Sequence, residues 1–241
     1  VNGVLLRPLP VSFVEGDLFT ADISKATVVA LYLSPSINLR LEQKLKQELR
    51  PGTRIVSHQF GIGNWVPDER IRAPNGNDVF LFTVPRRPAR APDIFFVPTP
   101  QPVVNAMLRL AGVGPGDTVY DLGSGDGRVV IEAAQAFGAR GVGIELDPPL
   151  VEISRQVARD AQVADKVTFV EGDLFAADIS KATVVTLFLS TSVNRRLEAK
   201  LKRELQPGAR IVSRQFPIGD WPPDEVVAAG DGTPLYLWTI R

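Results

Sequence analysis

The sequence predicts an α/β fold on a mostly parallel sheet finished by an antiparallel hairpin. Three observations predict it. Short apolar runs alternate with amphipathic helical stretches, a glycine-rich turn joins one run to the helix after it, and the chain ends in strand-like alternation behind a glycine turn.

PRRPARAPDIFFVPTP, residues 85 to 100, reads as an extended linker, because proline fixes φ and biases the residue before it away from helix. Val103, Val104, Met107, Leu108 and Leu110 then fall near helical spacing, stopped by the glycines of AGVGPGD. TVYDL (118 to 122) is a strand before glycines, RVVIEAAQAF (128 to 137) a helix, GVGIEL (141 to 146) a strand and PLVEISRQVARDA (149 to 161) an amphipathic helix. Further strands are expected at 167 to 171, 183 to 189 and 209 to 216, with a charged helix over about 192 to 205 closed by Pro207 and Gly208. PLYLWTIR (234 to 241) alternates behind AAGDGT, a hairpin signal.

A long internal repeat organises the chain. The segment that begins VSFVEGDLFTADISKATVVALYLS at Val11 recurs as one that begins VTFVEGDLFAADISKATVVTLFLS at Val167, with roughly three quarters of positions identical, far above the similarity of solenoid repeats. The reading is an N-terminal duplicate over 1–86 and a complete domain over 87–241. The unique stretch between the copies holds the one glycine loop.

Composition narrows the function classes. With 44% hydrophobic and 22% charged residues the chain is an ordinary globular protein. Basic and acidic residues balance at 27 each, so no global field draws it to nucleic acid. The absence of cysteine removes disulfides, thiolate metal sites and a Cys nucleophile, and suits a reducing cytoplasm. No apolar run approaches the about 20 residues that span a bilayer, so the chain is expected to be soluble and cytoplasmic, with no metal site.

The chemistry concentrates in VYDLGSGDGR, residues 119 to 128. Gly123, Gly125 and Gly127 lie between a buried strand and a helix, where glycine lets the backbone approach a ligand. Glu145 ends the next strand about twenty residues on, where a carboxylate accepts both ribose hydroxyls. Asp121, just before the loop, would repel a pyrophosphate but suits the ammonium of S-adenosylmethionine (AdoMet). In VEGDLF, Asp173 either accepts from the adenine amino group or caps a turn.

FVPTP, VYDLGSGDGR, GIELD, VEGDLF, ATVVTLFLS and PGARIVSRQF, in that order, resemble the small seven-β-strand (class I) AdoMet-dependent methyltransferases. That group includes archaeal protein lysine methyltransferases and the mitochondrial enzyme acting on the ATP synthase c-subunit. The resemblance covers Ile94 to Arg241. It implies a Rossmann-like seven-stranded sheet of order 3-2-1-4-5-7-6, with the N-terminal duplicate supplying equivalents of strands 3 to 7. It also implies that Pro98 and Thr99 lie over the methionine end of AdoMet and that Asp121, Gly123 and Gly125 lie beneath it. Glu145 then holds the ribose and Asp173 the adenine.

The implied reaction is attack of a neutral lysine ε-amine on the sulfonium methyl group, which needs positioning and desolvation more than a strong base. Phe188, Ser190, Asn194 and Trp221 are candidates for the acceptor entrance, with core or loop packing as their alternative. The implied partner is a protein with an accessible lysine, and nucleic acid is not expected. A small-molecule methyltransferase and a silent AdoMet-binding assembly module are the competing functions. His58, the one histidine, has Arg214 as its counterpart and receives no catalytic role. The surplus half is expected to pack on its own domain or to support a homodimer. In a permuted alternative, residues 11 to 84 would complete the sheet and Asp17 would replace Asp173.

Overall fold

The computed structural model describes residues 11–88 and 90–241, which fall into two compact units divided between Arg86 and Arg87. The first unit holds β1 (Val28–Leu31), α1 (Pro35–Glu48), β2 (Arg54–His58), β3 (Glu69–Arg72) and β4 (Asp78–Thr83). Its four strands run in the order β1-β2-β4-β3, with β1 and β2 parallel and the remaining pairs antiparallel. Leu41, Leu45 and Leu49 from and after α1 pack on Ile55 and Phe82, a small one-sided core.

The second unit opens with α2 (Gln101–Leu110), β5 (Thr118–Leu122), α3 (Arg128–Ala136), β6 (Arg140–Glu145), α4 (Pro148–Asp160) and β7 (Val167–Glu171). It continues with β8 (Val184–Leu187), α5 (Thr191–Glu204), β9 (Arg210–Arg214), β10 (Glu225–Ala228) and β11 (Pro234–Thr239). The seven strands lie in the order β10-β11-β9-β8-β5-β6-β7. From β9 to β7 every pairing is parallel, and β11 and β10 are antiparallel. One apolar cluster packs α2, α3 and α4 on one face of the sheet, and a second packs α5 and Trp238 on the other. Both faces of β8 are covered, so all four of its residues are buried, as expected of a central parallel strand.

The elements expected from Val103 onward form within one or two residues of their expected bounds, and β10 pairs with β11 as the first strand of the expected hairpin. Because β8 pairs with β5 directly, the sheet of the second unit is closed by the C-terminal copy, and the permuted order is not the one adopted. The first unit corrects the expectation of an equivalent for every repeated strand. VSFVE from Val11 forms no strand, and Phe13 and Val14 are exposed, whereas VTFVE from Val167 is β7. A strand at that place needs β6 beside it to accept its backbone hydrogen bonds. Among the described residues, no helix is long and apolar enough to cross a membrane and no cluster of potential ligands suits a metal ion.

Candidate cofactor and acceptor site

A cavity of about 190 Å³ opens at the C-terminal ends of the second unit's strands. In a parallel α/β sheet this is where a ligand is expected, because strand ends and helix N-termini converge there. Asp173 after β7, Glu145 on β6, Asp121 on β5 with Gly123 just after it, and Phe188 after β8 line it in the order of the strands.

The glycine loop is shaped by backbone needs that a side chain would violate. Gly125 has φ 55°, and a Cβ there would overlap the ring of Phe96. Its N–H donates to Glu145 Oε2 at 2.8 Å. Glu145 Oε1 accepts from the N–H groups of Leu146 and Asp147 at 2.8 and 2.9 Å. Three backbone donors thus fix the carboxylate before any ligand arrives. That leaves fewer lone pairs for a ribose than the free side chain of the sequence reading would offer.

Asp121 is buried, and its Oδ1 accepts a 2.7 Å hydrogen bond from the Thr186 hydroxyl. Burial pushes its carboxyl up to about 7, against the Thr186 bond and with help from the negative charges of Glu145 and Asp126. An uncompensated buried carboxylate is costly, and a ligand cation is the natural compensation.

Asp173 is already engaged. Arg90 Nε donates to its Oδ2 at 2.8 Å, and the Phe175 N–H donates to Oδ1 at 2.9 Å. The Arg90 guanidinium holds the Asp173 carboxyl below the usual carboxylate range in spite of partial burial. The turn-capping alternative is therefore real, and it leaves acceptor capacity for an adenine amino group alongside. Arg90 also pairs with Asp93 at 2.7 Å, and Asp93 with Arg196 at 2.7 Å.

Thr99 lines the cavity and is gripped from two sides. Arg128 Nη1 donates to its carbonyl at 2.9 Å, and Arg214 Nη1 approaches its hydroxyl at 3.5 Å. Pro98 is exposed and does not line the cavity, and Gly125 is screened from it by Phe96.

Of the four acceptor candidates only Phe188 faces the cavity. Asn194 is fully buried, donating from Nδ2 to Ser213 Oγ at 3.1 Å and to the Phe216 carbonyl at 2.9 Å. It braces the turn in which Gln215 takes φ 69°, and Asn38 does the same with Ser57 and Gly61 in the first unit. Ser190 caps α5, accepting from the Val193 N–H at 3.4 Å. Trp221 packs 6.0 Å from Trp238, lies under Lys202, and accepts on its carbonyl from Trp238 Nε1 at 3.1 Å. Ser190, Asn194 and Trp221 are held by packing and local hydrogen bonds, and none of them lines the cavity.

No role falls to Arg90, Phe96, Arg128 or Arg214 on the sequence alone. Phe96 and Arg128 lie inside FVPTP and VYDLGSGDGR and Arg214 is the counterpart of His58, so each carried a signal. Arg90 lay in the linker and carried none.

The residues fit AdoMet. A buried carboxylate on β5 and a second carboxylate fixed by three backbone donors on β6 match an ammonium and a ribose. The family described as ANTKMT methyltransferase domain matches this chain over residues 7–69 and 121–225. A protein-lysine N-methyltransferase of Saccharolobus islandicus (strain REY15A) is 43% identical over 62% of this chain and 95% of its own length. The adenine nucleotide translocase lysine N-methyltransferase of Mus musculus is 36% identical over 68% of this chain and 74% of its own. The crystal structure of an RNA methyltransferase from Salinibacter ruber in complex with S-adenosyl-L-homocysteine is 56% identical, with a TM-score of 0.59 over 60% of this chain and 94% of that one. The chain belongs to the ANTKMT methyltransferase domain family and is a class I methyltransferase whose cofactor is AdoMet.

Proposed function

We propose that this chain N-methylates lysine side chains of proteins. The observation that carries the reading is the archaeal relative, named for that activity and matched over 95% of its length. The site chemistry agrees with it. When bound, AdoMet supplies an electrophilic methyl group on a sulfonium.

Asp121 would hold the ammonium of the cofactor, Glu145, itself fixed by the Gly125 N–H, its ribose, and Asp173 with Arg90 its adenine. Phe188 after β8 and Thr99 line the cavity together with Asp121 of β5 and would border the acceptor entrance. A lysine passing between such walls loses water, which lowers its ammonium pKa and frees the amine lone pair for in-line attack. The proton is lost to solvent before attack, so no dedicated base is required.

RNA is the second reading, because the Salinibacter ruber protein bears that name at 56% identity. The balanced charge of this chain gives it no general affinity for phosphate backbone. Incubation with labelled AdoMet and a whole-cell extract separates the readings. Label in protein that survives nuclease and yields methylated lysine on acid hydrolysis is expected; nuclease-sensitive label, or label in small molecules, would replace the lysine reading. The first unit is read as a duplicate of the second unit's C-terminal half that serves self-association. Its edge strand β1 has no strand partner on its outer side among the described residues. A concentration-independent monomer in sedimentation would remove that role.

A further inference from the structure

We propose that Arg214 is a positioning residue for methyl transfer, holding Thr99 and Phe188 as the two walls of the cavity at its β8 end. The inference rests on the reading of that end as the acceptor entrance.

Arg214 ends β9 and is more than nine-tenths buried. Its guanidinium carbon lies 4.2 Å over the centroid of the Phe188 ring, Nη1 reaches the Thr99 hydroxyl, and Nη2 donates to Asp231 at 3.3 Å. Its Nε is buried without a hydrogen-bond partner among the described residues. A guanidinium held this way costs stability, since desolvation is only partly repaid by one long ion pair and a ring face. The fold itself does not require it. In the first unit, Asn38, Ser57 and the Phe60 carbonyl form the same bracing bonds as Asn194, Ser213 and the Phe216 carbonyl, with His58 in the place of Arg214.

The two copies also show that the group changes as a set. Where the second has Phe188, Arg214, Asp231 and Thr233, the first has Tyr32, His58, Asn75 and Asn77. There Tyr32 and His58 meet edge to face with ring centroids 4.6 Å apart, and His58 Nε2 lies 3.3 Å from Asn77 Nδ2. The cation, its carboxylate partner and the bare phenyl ring occur together in the copy whose strand ends line the cavity. Stacking fixes the plane of Phe188, and the hydroxyl contact fixes the χ1 of Thr99, whose carbonyl is pinned by Arg128. Arg214 is itself absent from the cavity lining, so it acts through these two side chains.

The test compares the full-length wild type with Arg214→Gln, Arg214→Lys and the double variant Phe188→Tyr/Arg214→His, which recreates the first unit's pair. AdoMet affinity, thermal unfolding, and kcat and KM on the acceptor that the wild type labels are measured for each. Arg214→Gln is expected to bind AdoMet within about twofold of wild type and to lose about ten- to a hundredfold in kcat, the loss typical of a reacting group displaced by an ångström. Arg214→Lys keeps a donor for Thr99 without the planar stack and should recover at least about threefold of that loss. The double variant should unfold like wild type yet transfer methyl groups as poorly as Arg214→Gln. Wild-type kcat in Arg214→Gln overturns the proposal. So does a loss of AdoMet affinity and melting temperature in step with kcat across all three variants, the pattern of a merely structural residue. The identity of the acceptor is scored on wild type alone, so an acceptor other than lysine would displace the lysine reading without deciding the role of Arg214.

Discussion

Two stretches of nearly the same sequence meet different fates in this molecule. VVTL is β8, buried at every residue between β5 and β9; VVAL is β1, with Val28 and Ala30 exposed, paired on one edge only. VTFVE is β7 beside β6, and VSFVE forms no strand at all. The difference teaches that strand propensity in these segments is permissive and that the neighbouring strand decides. It also locates the function. The cavity is built where β5 and β6 supply the glycine loop and Glu145, and Asp17, Tyr32 and Asn38 of the other copy are not among its lining residues.

Four experiments test this contrast. Glu145→Ala removes a carboxylate that accepts three backbone hydrogen bonds and borders the cavity. AdoMet binding by calorimetry should weaken by about 2–3 kcal/mol, the range of hydrogen bonds to a charged group. An unchanged affinity would place the ribose elsewhere.

Leu197→Ala and Leu41→Ala delete equivalent buried leucines of α5 and α1. Each should destabilise its own unit by about 2–5 kcal/mol, as core truncations do. Only the Leu197 change should lower the melting transition that AdoMet raises. If Leu41→Ala lowered it equally, the two units would not be energetically separate.

The third experiment varies pH. The Asp121 carboxyl of the free protein titrates at about 7, above the ordinary carboxylate value, so this residue costs stability at neutral pH and that cost is relieved as pH falls through 7. A bound cation favours the ionised form, so AdoMet binding must expel a proton at low pH. Affinity should fall by up to about tenfold per pH unit below 7 and level off above it. Asp121→Asn should bind weakly at every pH and lose the dependence; a dependence that persists would assign the proton to another group.

The smallest effect separates the copies most cleanly. Asp173→Ala should weaken AdoMet binding by about three- to tenfold, the worth of one hydrogen bond already shared with Arg90, while Asp17→Ala should leave it unchanged. Equal losses would mean that the first unit also takes part in cofactor binding.

Much of this was legible in the sequence, for identifiable reasons. β5, α3, β6 and α4 were found because burial on both faces writes continuous apolar runs for the strands and helical periodicity writes the helices. Thr99, Asp121, Gly123, Glu145 and Asp173 were found because a ligand along the strand ends demands particular residue types at strand termini, a constraint local in sequence. Asn194 and Trp221 stood between acceptor entrance and packing because sequence separation does not tell which carbonyls a buried amide will reach or which ring a tryptophan will meet. Arg90 and Arg214 received no role because their contacts lie 83 and 115 residues away. The failed strand at Val11 is the same lesson in reverse: a local pattern was present and its non-local partner was missing.

The central claim is that residues 87–241 hold a complete AdoMet site and that the N-terminal copy adds none. Calorimetric titration of AdoMet into the full chain and into residues 87–241 alone tests it most directly. One site is expected in each, with dissociation constants within about twofold, because every residue lining the cavity lies in the second unit. Two equal sites in the full chain, or loss of binding on removal of residues 1–86, would contradict it.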